Sequence, residues 1–233
     1  MSPWWPRWQV GQICIQVDSD QGPILVDPGL GLHDHEDPSR LVRFFRFDFG
    51  IQYAPDQTAI RQVEHLGYQP EKIEHIVLTH LHFDHAGGIV DFPRAKIQLH
   101  RKEFEASLHP KTWIERFAYD KKDFEHGPDW VLYDQSNTRW FDFDAIQLPF
   151  SPRMFLIPLF GHTSGLCGVA IETETGWLLQ ASDSIPINAE FDIVPGWLSR
   201  LVIGPHVTRL KTFAHDHPEV RILAGHAWKS FFH

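Results

Sequence analysis

The sequence predicts an α/β protein in which two β-sheets pack face to face and helices cover the outer surfaces. Two observations favour this architecture. Strand-like apolar runs come first, in hairpin style, and amphipathic helical stretches are interspersed through both halves of the chain. A single doubly wound sheet fits this order less well, although periodicity alone leaves the choice open.

The composition is that of an ordinary globular protein. The 233 residues are 42% hydrophobic and 22% charged, with a formal net charge of −9 that disfavours nucleic acid. No apolar run approaches the ~20 residues of a membrane helix, and the first ten residues lack the apolar stretch of a signal peptide. We expect one domain over residues 1–233, cytoplasmic, bound to neither nucleic acid nor membrane, as a monomer or a homodimer.

The first elements form a predicted hairpin. Residues 12–17 alternate polar and apolar, which predicts a half-buried strand, and residues 23–27 predict a second strand. A turn over residues 18–22 joins them. The aromatic-rich segment 29–54 follows; we predict a lid over a site, with a short helix and a small apolar cluster as the alternative.

A helix is predicted from Asp56, a candidate N-cap, to the glycine at position 67. A strand over residues 74–79 follows. Residues 109–145 have weak periodicity and are predicted to be an insertion or cap. The remaining predictions are strands at 96–99, 155–158, 166–171, 177–180 and 220–224, and helices at 101–108 and 205–215.

The segment T-H-L-H-F-D-H-A-G-G, residues 79–88, directly follows a predicted buried strand. His80 and His82 are two apart in extended backbone, so they point the same way and can bind one ion. Asp84 and His85 come after the strand has ended and can turn toward a second point nearby. Imidazole and carboxylate ligands without a thiolate suit Zn²⁺, Mn²⁺ or Fe²⁺ at a hydrolytic site.

Four ligands from one loop cannot complete two catalytic metal sites, because each needs about three protein ligands plus a water. Three further candidates each follow a predicted strand: His162, Asp183 and His226. We predict that they join the early cluster. Four other histidines stand in acidic local sequence and are interpreted as surface residues: His33, His35, His215 and His217.

This ordered set of ligand types resembles the metallo-β-lactamase superfamily, over nearly the whole chain. The resemblance implies an αβ/βα sandwich of two mixed β-sheets, with two divalent metal ions in a groove at the sheet edges. It also implies that Asp27 supports the site from behind the ligands. The ligands implied are His80, His82 and His162 for the first ion, Asp84, His85 and His226 for the second, and Asp183 as the bridge.

Within the superfamily, residues 79–88 are similar to the N-acyl-homoserine lactonases. Those lactonases often carry a tyrosine three residues after the bridging aspartate, where this chain has Pro186. Tyr53 is our candidate substitute. Phe45 and Phe47 are candidates to contact the substrate's acyl chain.

We therefore expect a dinuclear metal-dependent hydrolase that opens a lactone or cleaves an ester of a small molecule, with a hydroxide bridging the two ions as nucleophile. Asp84 or Asp183 would transfer the proton. Zinc is the expected metal, with manganese, iron or cobalt as alternatives. The alternative functions are a phosphotriesterase or a glyoxalase II-like thioesterase of the same fold, and a non-enzymatic metal-binding or di-iron redox module.

Overall fold

The computed structural model describes residues 10–48, 54–110, 116, 118–185 and 206–228. Its helices are α1 Leu32–Glu36, α2 Arg40–Asp48, α3 Ala59–His65, α4 Phe83–Ala86, α5 Arg101–Leu108 and α6 Val207–Asp216. Its strands are β1 Val10–Gln12, β2 Ile15–Ser19, β3 Gly22–Val26, β4 His75–Val77, β5 Lys96–His100, β6 Asp129–Tyr133, β7 Thr138–Trp140, β8 Phe143–Gln147, β9 Met154–Pro158, β10 Cys167–Thr173, β11 Gly176–Gln180, β12 Val220–Leu223 and β13 His226–Trp228.

The strands form two mixed sheets, as predicted, and a small third sheet. The first sheet has the order β2-β3-β4-β5-β6 and the second the order β12-β11-β10-β9-β8-β7, while β1 pairs with β13. In the first sheet β2 and β3 are antiparallel, which confirms the predicted hairpin, and the other pairs are parallel. In the second sheet only β11 and β12 are parallel.

The two sheets bury a shared apolar layer, and each has a second apolar layer on its other face. The pleat of β3 shows why: Ile24 and Val26 belong to the layer between the sheets, whereas Leu25 faces the layer that contains residues of α3 and α5. On the second sheet, Leu210 and Phe213 of α6 pack against its outer face. The αβ/βα sandwich is therefore confirmed.

Two segments differ from the sequence-based expectation. Residues 129–145 lie within the predicted insertion 109–145, yet they form β6, β7 and most of β8, so this part belongs to the sheets. Every residue of β6 is at least partly exposed. Because neither face of the strand is fully buried, its sequence lacks the clear alternation of apolar and polar residues that predicts a strand. The predicted lid, 29–54, contains α1 and α2. Thr58, not Asp56, precedes α3, because a short 3-10 turn occupies Pro55–Gln57.

Among the described residues, no helix combines the length and the apolar character needed to cross a bilayer.

Candidate metal centre

The candidate ligands lie where strands end, at one edge of the sandwich. In the first sheet β3 and β4 are parallel, so Asp27 and His80, which follow them, emerge side by side. In the second sheet β9 and β11 are both antiparallel to β10 and therefore run the same way, and β12 is parallel to β11. His162, Asp183 and His226 follow these three strands. Topology alone thus brings sequence-distant ligands together.

The early motif folds as its pattern indicates. After β4 the chain bends at Thr79, and His82, which precedes α4, is extended with φ −65° and ψ 146°. Asp84 and His85 then lie in the single helical turn of α4 and leave the backbone in another direction from His80. This change from strand to helix separates the four side chains into two pairs.

The first group of potential ligand atoms comes from His80, His82 and His162, all within 4.8 Å of one another. His82 Nδ1 lies 3.0 Å from His162 Nε2. His80 Nδ1 lies 3.0 Å from Thr79 Oγ1. Because Thr79 donates its hydroxyl hydrogen to Asp27, it accepts from His80 Nδ1–H, which leaves the lone pair of His80 Nε2 available to an ion.

The second group comes from Asp84, His85 and His226, again within 4.8 Å. His226 Nε2 is 3.5 Å from Asp84 Oδ2. Asp183 lies between the two groups: its Oδ2 is 3.3 Å from His162 Nε2, and its Oδ1 is 3.4 Å from His85 Nε2. The two oxygens of one carboxylate therefore face different groups, as a bridging ligand requires.

Electrostatics keep two of the imidazoles neutral and the Asp183 carboxylate ionised. Burial, followed by the neighbouring imidazoles, holds the pKa of His80 and His82 well below the ordinary value, so both rings are neutral. Burial would raise the pKa of Asp183, but His226, His85 and His162 hold it well below its usual range. Burial would lower the pKa of His85, but Asp183 and Asp84 raise it. Positive charge is thus favoured beside Asp183.

The residues fit a pair of divalent ions. His80 Nε2, His85 Nε2 and Asp183 Oδ1 are buried, and none has a hydrogen-bond partner within the described part of the chain. Two ligands bound tetrahedrally to one zinc ion are roughly 3.3 Å apart, close to the separations found here. At Gly225 a Cβ atom would overlap Asp183 Oδ1, so only glycine lets the backbone pass.

Asp27 holds the ligands from behind, as the resemblance implied. Its Oδ1 accepts a hydrogen bond from Thr79 N–H at 2.8 Å, and its Oδ2 accepts from Thr79 Oγ1 at 2.7 Å. His85 Nδ1 is 3.0 Å from the same Oδ2, so that ring directs Nε2 at the ion site. Asp27 has φ 49° and Ser182 has φ 50°, uncommon values for residues other than glycine. Such strain clusters at functional sites.

Glu103 links the two loops that carry candidate ligands, and the sequence did not reveal it. Its buried carboxylate accepts hydrogen bonds from Leu81 N–H at 3.0 Å and from Tyr119 Oη at 3.1 Å. The other oxygen accepts from Thr163 Oγ1 at 2.6 Å and from Gly165 N–H at 3.1 Å. Glu103 therefore ties the loop that carries His80 and His82 to the loop that carries His162.

Gln12 and Tyr119 were also missed. Gln12 Nε2 lies 2.9 Å from His85 Nδ1, because β1 pairs with β13 beside the ligands. The ring of Tyr119 lies 5.5 Å from that of His82. Neither residue stands in a recognisable motif, so no signal in the sequence identifies them.

The predicted substrate residues are only partly described. Phe45 packs its ring on Phe83, within the ligand loop, at 5.0 Å and 34°. Phe47 lies at the end of α2, but its side chain is outside the described residues, as are Tyr53 and Pro186. A role for Phe45 beside the substrate stays a prediction.

A sandwich of two mixed sheets, with histidines and aspartates gathered at one edge, places a candidate metal centre at the strand ends. Residues 10–176 match the Metallo-beta-lactamase superfamily, and the chain belongs to that superfamily. This membership confirms the expected fold and implies divalent metal ions as cofactors.

The sequence is similar to those of several known proteins. The chain is 36% identical over 170 residues to a probable metallo-hydrolase of Mycobacterium tuberculosis, covering 72% of this chain and 54% of that protein. It is 27% identical over 195 residues to the N-acyl homoserine lactonase AttM of Agrobacterium fabrum, covering 76% and 67% respectively. The chain thus spans about half the length of the mycobacterial relative.

The fold is also similar to that of a lactonase whose structure has been solved. It is an N-acyl homoserine lactone hydrolase with the product N-hexanoyl-L-homoserine bound at its catalytic metal centre. That protein is 25% identical to this chain, with a TM-score of 0.67 over 92% of this chain and 80% of the other. Relatives of this chain therefore include lactonases.

Proposed function

We propose that the protein opens the lactone ring of N-acyl homoserine lactones, or cleaves closely related esters, with two zinc ions held by seven side chains. One observation carries the proposal. The two oxygens of Asp183 face two separate groups of potential nitrogen and oxygen ligands, an arrangement that supports a dinuclear centre. The similarity to lactonases supports the choice of substrate.

When bound, two divalent ions at this position would lower the pKa of a water molecule from 15.7 to about 7 and polarise the ester carbonyl. The chain's residues fix the ligands for this chemistry. Asp27 orients His85, Thr79 orients His80, and Glu103 holds the loops on either side of the groove.

Asp84 is our candidate for proton transfer to the leaving alkoxide. Both oxygens of Asp183 face imidazoles, so neither is free to accept a proton from the reacting water. Asp84 is more open: its side chain is 25% exposed, against 8% for Asp183. A carboxylate at the mouth of the groove can hold the proton between the attacking water and the departing oxygen.

Helix α2 is our candidate substrate-binding element. Phe45 packs on Phe83, between the ligands His82 and Asp84, so α2 lies against the ligand loop. Phe44 is 41% exposed on the same helix. Apolar rings at this edge suit an acyl chain and would keep bulk water from the ester.

A substrate panel tests the proposal. The zinc-loaded protein is assayed with N-hexanoyl and N-decanoyl homoserine lactones, an aryl ester, a phosphotriester and a glutathione thioester. We expect the highest kcat/KM with a lactone. Asp84→Asn should lower kcat by at least tenfold. Glu174→Gln, an exposed carboxylate in the turn between β10 and β11, at the opposite end of β11 from Asp183, should leave it unchanged. A clear preference for the phosphotriester or the thioester would contradict the lactonase proposal.

A further inference from the structure

A second cluster of metal-type ligands lies outside the seven-residue centre. His33 and Asp34 belong to α1, and Asp123 ends the 3-10 turn Lys121–Asp123. His33 Nε2 lies 3.2 Å from Asp123 Oδ1 and 3.4 Å from Asp34 Oδ1. The three potential ligand atoms are all within 4.8 Å of one another. These separations match those of the seven-residue centre.

The cluster is buried, which corrects the interpretation of His33 as a surface residue. Asp123 is 0% exposed and Asp34 is 1% exposed, and the His33 side chain is only 22% exposed. Asp123 Oδ2 has no hydrogen-bond partner among the residues that the structure describes. A fully buried carboxylate oxygen without a donor is costly unless a cation or proton is supplied.

Negative charge accumulates around the cluster. The carboxylate of Asp120 repels the negative charge of both Asp34 and Asp123, and that of Asp91 repels the charge of Asp34. Burial raises the pKa of Asp123 to about 8 and that of Asp34 to about 6. The neighbouring ammonium group of Lys122 does not neutralise them, because it points outward to Asp37 at 2.8 Å.

We propose that His33, Asp34 and Asp123 form a third cation site that takes a divalent transition-metal ion such as Zn²⁺. One imidazole nitrogen and two carboxylate oxygens are a zinc-type donor set, and a water would complete the coordination. An ion at this position would occupy the unpartnered oxygen of Asp123 and offset the repulsion between the two carboxylates.

The position of the site gives it a structural role. It joins α1, in the predicted lid segment, to the turn that contains Asp123. Asp34 Oδ2 accepts a hydrogen bond from Gly31 N–H at 2.9 Å and lies against Gly87, where a side chain would collide with it. Gly87 comes two residues after the ligand His85. An ion here would therefore fix α1 against the loop that carries the catalytic ligands.

Metal counting and thermal unfolding together test the site. The full-length protein is stripped with EDTA, reloaded with Zn²⁺, gel-filtered and measured by ICP-MS. We expect three zinc ions per chain in the wild type, two in Asp123→Asn, and three in the control Asp91→Asn. The control removes a nearby negative charge but keeps an oxygen that can accept from Leu32 N–H.

The thermal measurement separates metal binding from simple packing. In EDTA, Asp123→Asn should unfold at the same temperature as the wild type or higher, because it removes a buried carboxylate. In Zn²⁺ the order should reverse, since only the wild type gains the third ion. A lower unfolding temperature for the variant by the same amount in both buffers, or equal zinc content in wild type and variant, would overturn the proposal. Neither result depends on which substrate is hydrolysed.

Discussion

Replacing Glu103 by glutamine is the most informative test of how the loops are held. The carboxylate accepts four hydrogen bonds, two of them from the backbone N–H groups of Leu81 and Gly165. Glutamine keeps one acceptor oxygen and adds an NH₂ group. Whichever way the amide is turned, that NH₂ faces a backbone N–H that can only donate, so at least one amide loses its partner.

The magnitude follows from these contacts. Hydrogen bonds to a charged group contribute about 1.5–3 kcal/mol each, and a buried unpaired donor costs about 1–3 kcal/mol. Part of this is offset, because burial raises the pKa of Glu103 and the variant no longer buries a charge. We expect Glu103→Gln to lower the free energy of unfolding by about 2–4 kcal/mol.

Urea unfolding and steady-state kinetics measure the two consequences. Because the carboxylate lies between the loops of His82 and His162, we expect zinc affinity and kcat/KM to fall at least tenfold. Glu105→Gln, an exposed site on the same helix, is the matched control and should change neither quantity. Unchanged stability and unchanged kcat/KM in Glu103→Gln would refute the positioning role.

Three further outcomes are expected. Asp183→Asn should abolish lactone hydrolysis and lower the zinc content, as measured by turnover and ICP-MS; full activity would exclude the bridge. Gly225→Ala, whose Cβ would overlap Asp183 Oδ1, should reduce kcat/KM at least tenfold with an unchanged circular dichroism spectrum. In the metal-free protein, the contribution of Asp34 and Asp123 to stability should fall as pH rises from about 4 to 8, because both keep protons in the folded state that unfolded aspartate, with a pKa of about 3.9, has released. Urea unfolding in EDTA at pH 5 and 8 should therefore show that the wild type loses stability relative to Asp123→Asn between the two pH values.

The candidate ligands could be predicted from the sequence because their spacing and their positions after apolar runs are local features of the sequence. His80 and His82 are two residues apart directly after β4, and each later candidate ligand, such as Asp183, follows an apolar strand. Parallel strand direction then places those ends at one edge. The hairpin was accessible because residues 12–17 alternate polar and apolar, and the sandwich followed from the order of the predicted elements and from the resemblance to the superfamily.

Other features depend on contacts between residues far apart in sequence. Glu103 looks like a solvent-facing helix residue, and its partners lie up to 62 positions away. His33 stands among acidic residues, which is typical of a surface, until the fold places Asp123 beside it. Strand β6 was missed because it is an edge strand with weak alternation. The environment of each of these features is set by contacts between residues distant in sequence, and hydrophobic periodicity gives no information about such contacts.

Anomalous diffraction from crystals grown with Zn²⁺ tests the central claim most directly. Data collected on both sides of the zinc absorption edge should show two strong peaks flanking the Asp183 carboxylate, each about 2.0–2.2 Å from the predicted histidine and aspartate atoms. A single peak beside Asp183, or none there, would contradict the account of a dinuclear centre, whatever is found at His33, Asp34 and Asp123.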